Sequence, residues 1–201
     1  MKLILVHLDL GIGGAEKLVV NTAMAMLDLG HEVEIYTSHH DPNHCFQETK
    51  LHGKLHKCVK IYGDWLPRNI LGKATAFCGI IRMIFLSVII VFKEWWSILF
   101  QRQEKCNAIF LDGISAPIPL LLLSFTPIIF YCHFPDKYLC VERNSYFKKV
   151  YRRLIDWIEE ITTGHDITLS LNNLLEYLFT YLLAYCRLCI NYSCEFFIYK
   201  I

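Results

Sequence analysis

Apolar and polar positions along the first part of the chain predict a strand, a helix and a second strand. A short apolar run over residues 2–8 ends at the glycine-rich residues 11–14, as a buried parallel strand does before a tight turn. The next apolar residues recur at helical spacing until Gly30 stops the helix, and residues 32–35 then alternate polar and apolar side chains. This order predicts a parallel strand pair that starts a doubly wound sheet.

Three more segments fit strands of the same sheet, namely residues 57–62, 108–111 and 128–132. Each is followed by polar or turn residues. In open α/β sheets ligands bind beyond the carboxyl ends of the strands, so these turns and the glycine-rich turn are predicted to line one rim. We therefore expect an α/β fold with a Rossmann-like parallel sheet and the functional surface at that rim.

The most hydrophobic stretch covers residues 74–92 and is interrupted only by Arg82. Its length is near the ~20 residues of a membrane span. A charge in mid-span costs at least ~2.5 kcal/mol, whereas an interfacial helix lets the arginine snorkel. Trp95 and Trp96 would then lie at the headgroup level. The pattern favours an interfacial helix, with a buried crossover helix and a spanning helix as alternatives.

The end of the chain changes character after one more helix. Residues 145–163 carry an amphipathic pattern that Gly164 ends. The residues that follow are rich in Leu, Tyr, Cys and Phe, without glycine turns or clear alternation. We expect a domain over residues 1–164 and an irregular hydrophobic tail over residues 165–201.

Composition narrows the classes of function. Hydrophobic residues make up 54% of the 201 residues and charged residues 19%, which calls for a surface covered by a membrane or a large partner. The net charge of +1 gives no support for nucleic-acid binding. The nine cysteines are odd in number and irregularly spaced, which predicts reduced thiols on the cytosolic side and not a disulfide framework.

The glycine-rich turn is the first candidate for binding chemistry, through Gly13, Gly14, Ala15 and Glu16. It opens a helix directly after a strand, so free backbone N–H groups and the helix dipole favour an anion there. Glycine also lets a phosphate or sugar approach the backbone closely. The spacing is not the dinucleotide fingerprint. A turn that serves geometry alone is the alternative.

Two further candidates lie later in the chain. His133 and Asp136 follow a predicted strand, and His133 can donate to a sugar hydroxyl or a phosphate, with a purely structural role of this motif as the alternative. Lys148 and Arg152 belong to a basic cluster at the start of the last helix, where the dipole disfavours bases. That cluster suits lipid phosphates or a diphosphate, with a solvated polar face as the alternative.

Metal and cofactor chemistry have little support. Potential metal ligands gather in residues 39–45, but they lack a recognised spacing and adjoin a Pro-Asn turn. No Ser-His-Asp order and no nucleophile elbow occurs in the sequence. We predict no metal site and no cofactor.

Five motifs in order resemble one enzyme family. They are Gly-Gly-Ala-Glu at 13–16, Asp-Pro-Asn-His-Cys-Phe at 41–46, Gly-Asp-Trp-Leu-Pro-Arg at 63–68, Tyr-Cys-His-Phe-Pro-Asp at 131–136 and Ile-Asp-Trp-Ile-Glu-Glu at 155–160. Over about residues 1–164 the chain resembles the mannosyltransferases of dolichol-linked oligosaccharide assembly, which are retaining GT-B glycosyltransferases.

This resemblance implies the N-terminal, acceptor-side half of a metal-independent GT-B enzyme on the cytosolic face of the endoplasmic reticulum membrane. Its partners would be GDP-mannose, a dolichol-diphosphate oligosaccharide and other glycosyltransferases of the pathway. The glycine turn and His133 would lie in the interdomain cleft, with His133 contacting the transferring sugar and Asp136 supporting it.

The chain departs from the family after Gly164, where the donor-binding domain with its glutamate pair is not recognisable. We therefore expect a truncated product that is inactive alone. A noncatalytic, membrane-associated binding protein that keeps only the acceptor surface is the alternative.

Overall fold

A computed structural model of the chain describes residues 1–70, 72–100, 105–132, 146–163 and 195–199. In this part of the chain six strands form one sheet of order β3-β2-β1-β4-β5-β6. The strands are β1 (Lys2–Asp9), β2 (Glu32–His39), β3 (Val59–Ile61), β4 (Ala108–Asp112), β5 (Ile128–Cys132) and β6 (Glu195–Tyr199).

The first five strands are parallel, which confirms the predicted doubly wound α/β class. The sixth strand pairs antiparallel with β5. It lies in the segment for which the sequence predicts no regular structure.

Helices cover the sheet between these strands. They are α1 (Gly14–Asp28), α2 (Thr75–Phe100), α3 (Ile118–Leu121) and α4 (Tyr146–Thr163), with 3-10 turns at Gln47–Thr49 and Leu122–Ser124. The hydrophobic helix thus continues eight residues past the predicted end at Phe92.

The two faces of the sheet follow the period of two in the strands. Leu3 and Leu5 of β1 pack in one core cluster with the buried face of α1. Ile4 and Val6 pack in a second cluster with Met83 and other residues of α2. The central strand is therefore buried on both faces, as its continuous apolar run predicts.

The helix α2 lies on the sheet, but only one side of it is covered. Arg82 is 2% exposed, so the interpretation that it snorkels to a membrane surface is wrong. The opposite side exposes Phe77, Ile81, Ile84, Val88, Phe92, Trp95, Trp96, Ile98, Leu99 and Phe100. Among the described helices, α2 alone is long and apolar enough to cross a membrane by length and composition.

Candidate functional site

The glycine-rich turn lies at the carboxyl end of β1 and leads directly into α1. A Cβ at Gly13 would lie 2.2 Å from Glu16 Oε2, so a side chain there would force the Glu16 carboxylate to move. A Cβ at Gly14 would meet no atom within 4 Å. Gly13 therefore lets Glu16 fold back over the turn, and the space beside Gly14 is open to a ligand.

The buried side chain of His7 lies between Glu16 and Asp112. Its Nδ1 lies 2.7 Å from Asp112 Oδ2, and its Nε2 lies 3.8 Å from Glu16 Oε1. His7 is 8% exposed and Asp112 is 2% exposed. Because Val6 of β1 pairs with Leu111 of β4, the next residue of each strand brings these two side chains together.

The charges of this cluster follow from its partners. Burial lowers the pKa of His7, but Asp112 and Glu16 outweigh burial and raise it to about 9. The His7 imidazolium, together with the backbone N–H of Glu16 itself, lowers the pKa of Glu16. At neutral pH a buried cation therefore lies between two carboxylates.

This arrangement changes what the turn offers to a ligand. The Glu16 carboxylate accepts its own backbone N–H and so takes up part of the positive potential at the start of α1. An ionised carboxylate accepts hydrogen bonds and repels a second anion. The turn presents an acceptor for hydroxyl groups beside its backbone donors, which suits a sugar. The predicted roles of Gly13, Gly14, Ala15 and Glu16 as ligands stay predictions.

A second ionic contact ties the rim to α2. Arg82 donates from Nη1 to Asp9 Oδ2 at 3.1 Å and from Nη2 to Asp9 Oδ1. Its Nε donates to Ser38 Oγ at 2.8 Å. The long apolar helix is thereby fixed to the carboxyl ends of β1 and β2, directly before the glycine turn. Sequence reasoning did not place Arg82 or Asp9 at the rim, although a lone charge in an apolar helix is a usable signal for a buried partner.

The basic cluster of α4 has two environments. Arg152 is 5% exposed and pairs with Asp156 at 3.3 Å. Lys148 is exposed. Of the two predicted ligands, Lys148 is thus the one that solvent or a lipid phosphate can reach. Both roles stay predictions.

The predicted catalytic residues His133 and Asp136 lie outside the described residues. The preceding residue, Cys132, is the buried last residue of β5 and lies at the same carboxyl edge as the glycine turn. Their predicted roles remain predictions.

Two of the three histidines in residues 39–45 have side-chain partners in the protein. His39 Nδ1 lies 2.7 Å from Asp64 Oδ1, and His40 Nδ1 lies 3.0 Å from the Leu10 carbonyl oxygen. Within the described ranges no three His, Cys, Asp or Glu residues are grouped to hold a metal ion.

Known proteins resemble the part of the chain that carries the glycine-rich turn and the parallel strands. The family model for Glycosyltransferase Family 4 matches residues 12–166. The chain is 46% identical over 169 residues to the alpha-1,3/1,6-mannosyltransferase ALG2 of Rhizomucor pusillus, covering 84% of this chain and 34% of the relative.

It is 44% identical over 162 residues to the ALG2 protein of Mus musculus, covering 79% and 36%. The same shares are covered at 43% identity in the ALG2 protein of Homo sapiens. The chain spans about a third of the length of these curated relatives.

Proposed function

Because the chain belongs to Glycosyltransferase Family 4, we propose that it forms the acceptor-side half of a mannosyltransferase. The reaction would transfer mannose from GDP-mannose to a dolichol-diphosphate-linked oligosaccharide. The relatives' name as alpha-1,3/1,6-mannosyltransferases supports the sugar, and the remaining detail rests on the family resemblance of the motifs.

The observation that carries the proposal is the carboxylate of Glu16, held over an open glycine turn by His7. A sugar hydroxyl can donate to this carboxylate and accept from the backbone N–H groups of the turn. His7 acts as a positioning residue, because it is buried beneath Glu16. The turn thereby orients a polyol at the rim.

Glycosyl transfer breaks the bond between the anomeric carbon and the diphosphate and forms one to the acceptor oxygen, which loses its proton. Most of the barrier is lowered by positioning both reactants and by stabilising the departing charge. In the proposed division of labour, residues 1–164 supply the acceptor wall with His133 and Asp136 near the sugar. The donor wall belongs to another part of the enzyme.

The proposed location is the cytosolic face of the endoplasmic reticulum membrane, with α2 against the lipid. Its uncovered side supports this, because large exposed apolar surfaces mark membrane or protein contacts. The described cysteines, Cys45, Cys58, Cys78, Cys106 and Cys132, are free thiols, as in a reducing compartment. The same surface is also what the alternative function, a noncatalytic membrane-associated binding protein, would need.

Binding of a soluble acceptor oligosaccharide to the chain tests the proposal, with intrinsic tryptophan fluorescence or NMR as the readout. We expect binding that Glu16→Gln weakens and that the control Glu32→Gln, an exposed carboxylate at the other end of the sheet, leaves unchanged. Equal binding by Glu16→Gln and the unaltered chain would contradict the role of the turn. If the chain bound GDP-mannose and not the acceptor, residues 1–164 would form the donor side of the cleft.

A further inference from the structure

A concave site lies on the α2 side of the sheet, remote from the glycine turn. Its volume is about 830 Å³, and its lining includes Lys2, Lys60, Lys93, Tyr36, Tyr62 and Trp96. Lys2 begins β1 and Asp9 ends it at the rim, so the two ends of the strand are about 23 Å apart by strand rise. The pocket is therefore separate from the glycine-rich turn.

The polar groups of the pocket are arranged around Lys93. Its ammonium donates to Tyr62 Oη at 2.7 Å and to Tyr36 Oη at 3.1 Å. The same ammonium lies 4.8 Å from the centroid of the Tyr62 ring and 5.0 Å from that of Tyr36. The two rings stack with centroids 5.8 Å apart. An ammonium has three donors, so Lys93 keeps one for a ligand.

The charge of the pocket is positive. Lys2, Lys60 and Lys93 face the two carboxylates of Glu34 and Glu94. Glu34 pairs with Lys2 at 3.4 Å, and Glu94 is 4% exposed and accepts the backbone N–H of Cys106. Glu34 also accepts from Tyr36 Oη at 2.9 Å. Both carboxylates thus have partners within the protein, and Lys60 and Lys93 are the cations that an incoming anion would meet.

The pocket borders an apolar surface. Phe92 and Trp96 belong to its lining and are 64% and 46% exposed. Trp96 contacts Phe92 and Phe100, with ring centroids 5.9 Å and 4.2 Å apart. The exposed side of α2 continues from these rings. A ligand that fits both parts has an anionic head and an apolar body.

We propose that this pocket binds the phosphate headgroup of an anionic phospholipid whose acyl chains lie along the exposed side of α2. The charge of the pocket matches the headgroup, and the aromatic side chains match the interface between headgroups and acyl chains. The inference rests on the membrane attachment in the proposed function and adds the class of lipid. Such a lipid fixes the domain on the membrane surface and takes no part in transfer.

Flotation with vesicles tests the inference, using phosphatidylcholine alone and phosphatidylcholine mixed with phosphatidylserine. At about 1 kcal/mol for each lysine near the surface, Lys60→Gln with Lys93→Gln should lower binding to the mixed vesicles at least tenfold. Binding to neutral vesicles should not change. The matched control is Lys50→Gln with Lys54→Gln, which removes the same charge outside this pocket.

Several outcomes overturn the inference. One is an equal loss in the control variant, which would show attraction by net charge alone. A third set of vesicles carries dolichyl diphosphate. If Lys60→Gln with Lys93→Gln lowered binding to these vesicles alone, the pocket would be assigned to the acceptor lipid. Binding of inorganic phosphate by a chain that binds neither kind of vesicle would show an anion site without lipid contact.

Lys93 packs on two tyrosines, so its substitution could disturb the fold. The thermal unfolding of each variant is therefore measured together with its vesicle binding. Lys60→Gln alone serves as the second test and should still lower binding to the mixed vesicles severalfold. If the unaltered chain binds neither kind of vesicle, membrane attachment itself fails and this inference with it. If it binds both kinds equally, attachment stands and the headgroup site is wrong.

Discussion

The imidazole of His7 joins two parts of the chain that are distant in sequence, the end of β4 and the first turn of α1. His7 can be buried beside Asp112 and Glu16 because its imidazolium carries the charge opposite to that of the two carboxylates. The free energy of this arrangement is linked to pH. The raised pKa means that the stabilisation is complete below the ordinary value of 6.5 and is lost as the pH rises through about 9.

We predict that the free energy of unfolding falls between pH 6.5 and about pH 9, by up to about 3 kcal/mol for a shift of this size. Urea unfolding at several pH values measures it. In His7→Gln this part of the pH dependence should vanish, whereas in His52→Gln, an exposed control, it should persist. A pH profile that is the same in all three proteins would show that folding does not change the pKa of His7.

Substitution of the two neighbouring glycines of the turn should have different effects on stability. Gly14→Ala should leave the unfolding midpoint unchanged, because a Cβ there meets no protein atom within 4 Å. Gly13→Ala should displace Glu16 and lower stability by roughly 1 kcal/mol. Both substitutions should weaken binding of the acceptor. Gly13→Ala displaces Glu16, and Gly14→Ala fills the space in which the ligand would lie. Undiminished acceptor binding by Gly14→Ala would place the ligand elsewhere on the rim.

At this scale the sequence revealed the motif but not its support. Gly13 and Glu16 could be singled out because glycines between a strand and a helix are a local signal. His7 and Asp112 could not, because their contact spans 105 positions and depends on β1 and β4 being neighbours in register. His7 also occurs within a mainly apolar run, where the sequence pattern indicates only a buried strand.

Among the elements, α2 shows most clearly what an apolar pattern leaves open. Its composition allows an interfacial, a spanning or a packed helix. The structure packs one side through Met83, Leu86 and Ile90 and leaves the other uncovered. Which side is buried depends on where Asp9 and Ser38 end up to receive Arg82, and this is set by the ends of two strands. The length of the helix was underestimated because Lys93 and Glu94 break the apolar run.

We predict that Arg82→Met lowers the free energy of unfolding by about 2 kcal/mol, the usual size for lost hydrogen bonds to a charged group. The loss is moderate because the Asp9 side chain is 41% exposed and water can solvate it when the arginine is gone. Denaturant unfolding measures it. The control Arg68→Met removes an exposed pair with Asp64 at 4.0 Å and should change stability little. If Arg82→Met lowered the free energy of unfolding no more than Arg68→Met does, the buried pair would have no stabilising role.

Across the whole molecule, the parallel order of the first five strands was predictable because each strand, turn and helix signal was local and consistent with the next. The position of β4 between β1 and β5 was not, since sequence periodicity does not say which strands are neighbours. The antiparallel β6 was also missed, because residues 195–199 carry no polar alternation and follow a segment without turn signals.

The last prediction concerns catalysis by the 201-residue chain tested by itself. The family model covers residues 12–166, and the chain corresponds to about a third of its mannosyltransferase relatives. Transfer requires the anomeric carbon of the donor to be held near the acceptor hydroxyl, and it requires groups that stabilise the departing diphosphate. The described rim offers Glu16 and Asp9, which are carboxylates and repel a diphosphate, while Arg82 is buried against Asp9.

We therefore expect the chain to bind acceptor and to give no lipid-linked mannose above a blank when it is supplied with labelled GDP-mannose and dolichol-linked acceptor. A full-length relative, assayed beside it, shows that the substrates are competent. Transfer by the chain alone, in a preparation free of longer enzyme, would mean that the rim binds the donor diphosphate despite its carboxylates. The assignment of this sheet to the acceptor would then have to be reversed.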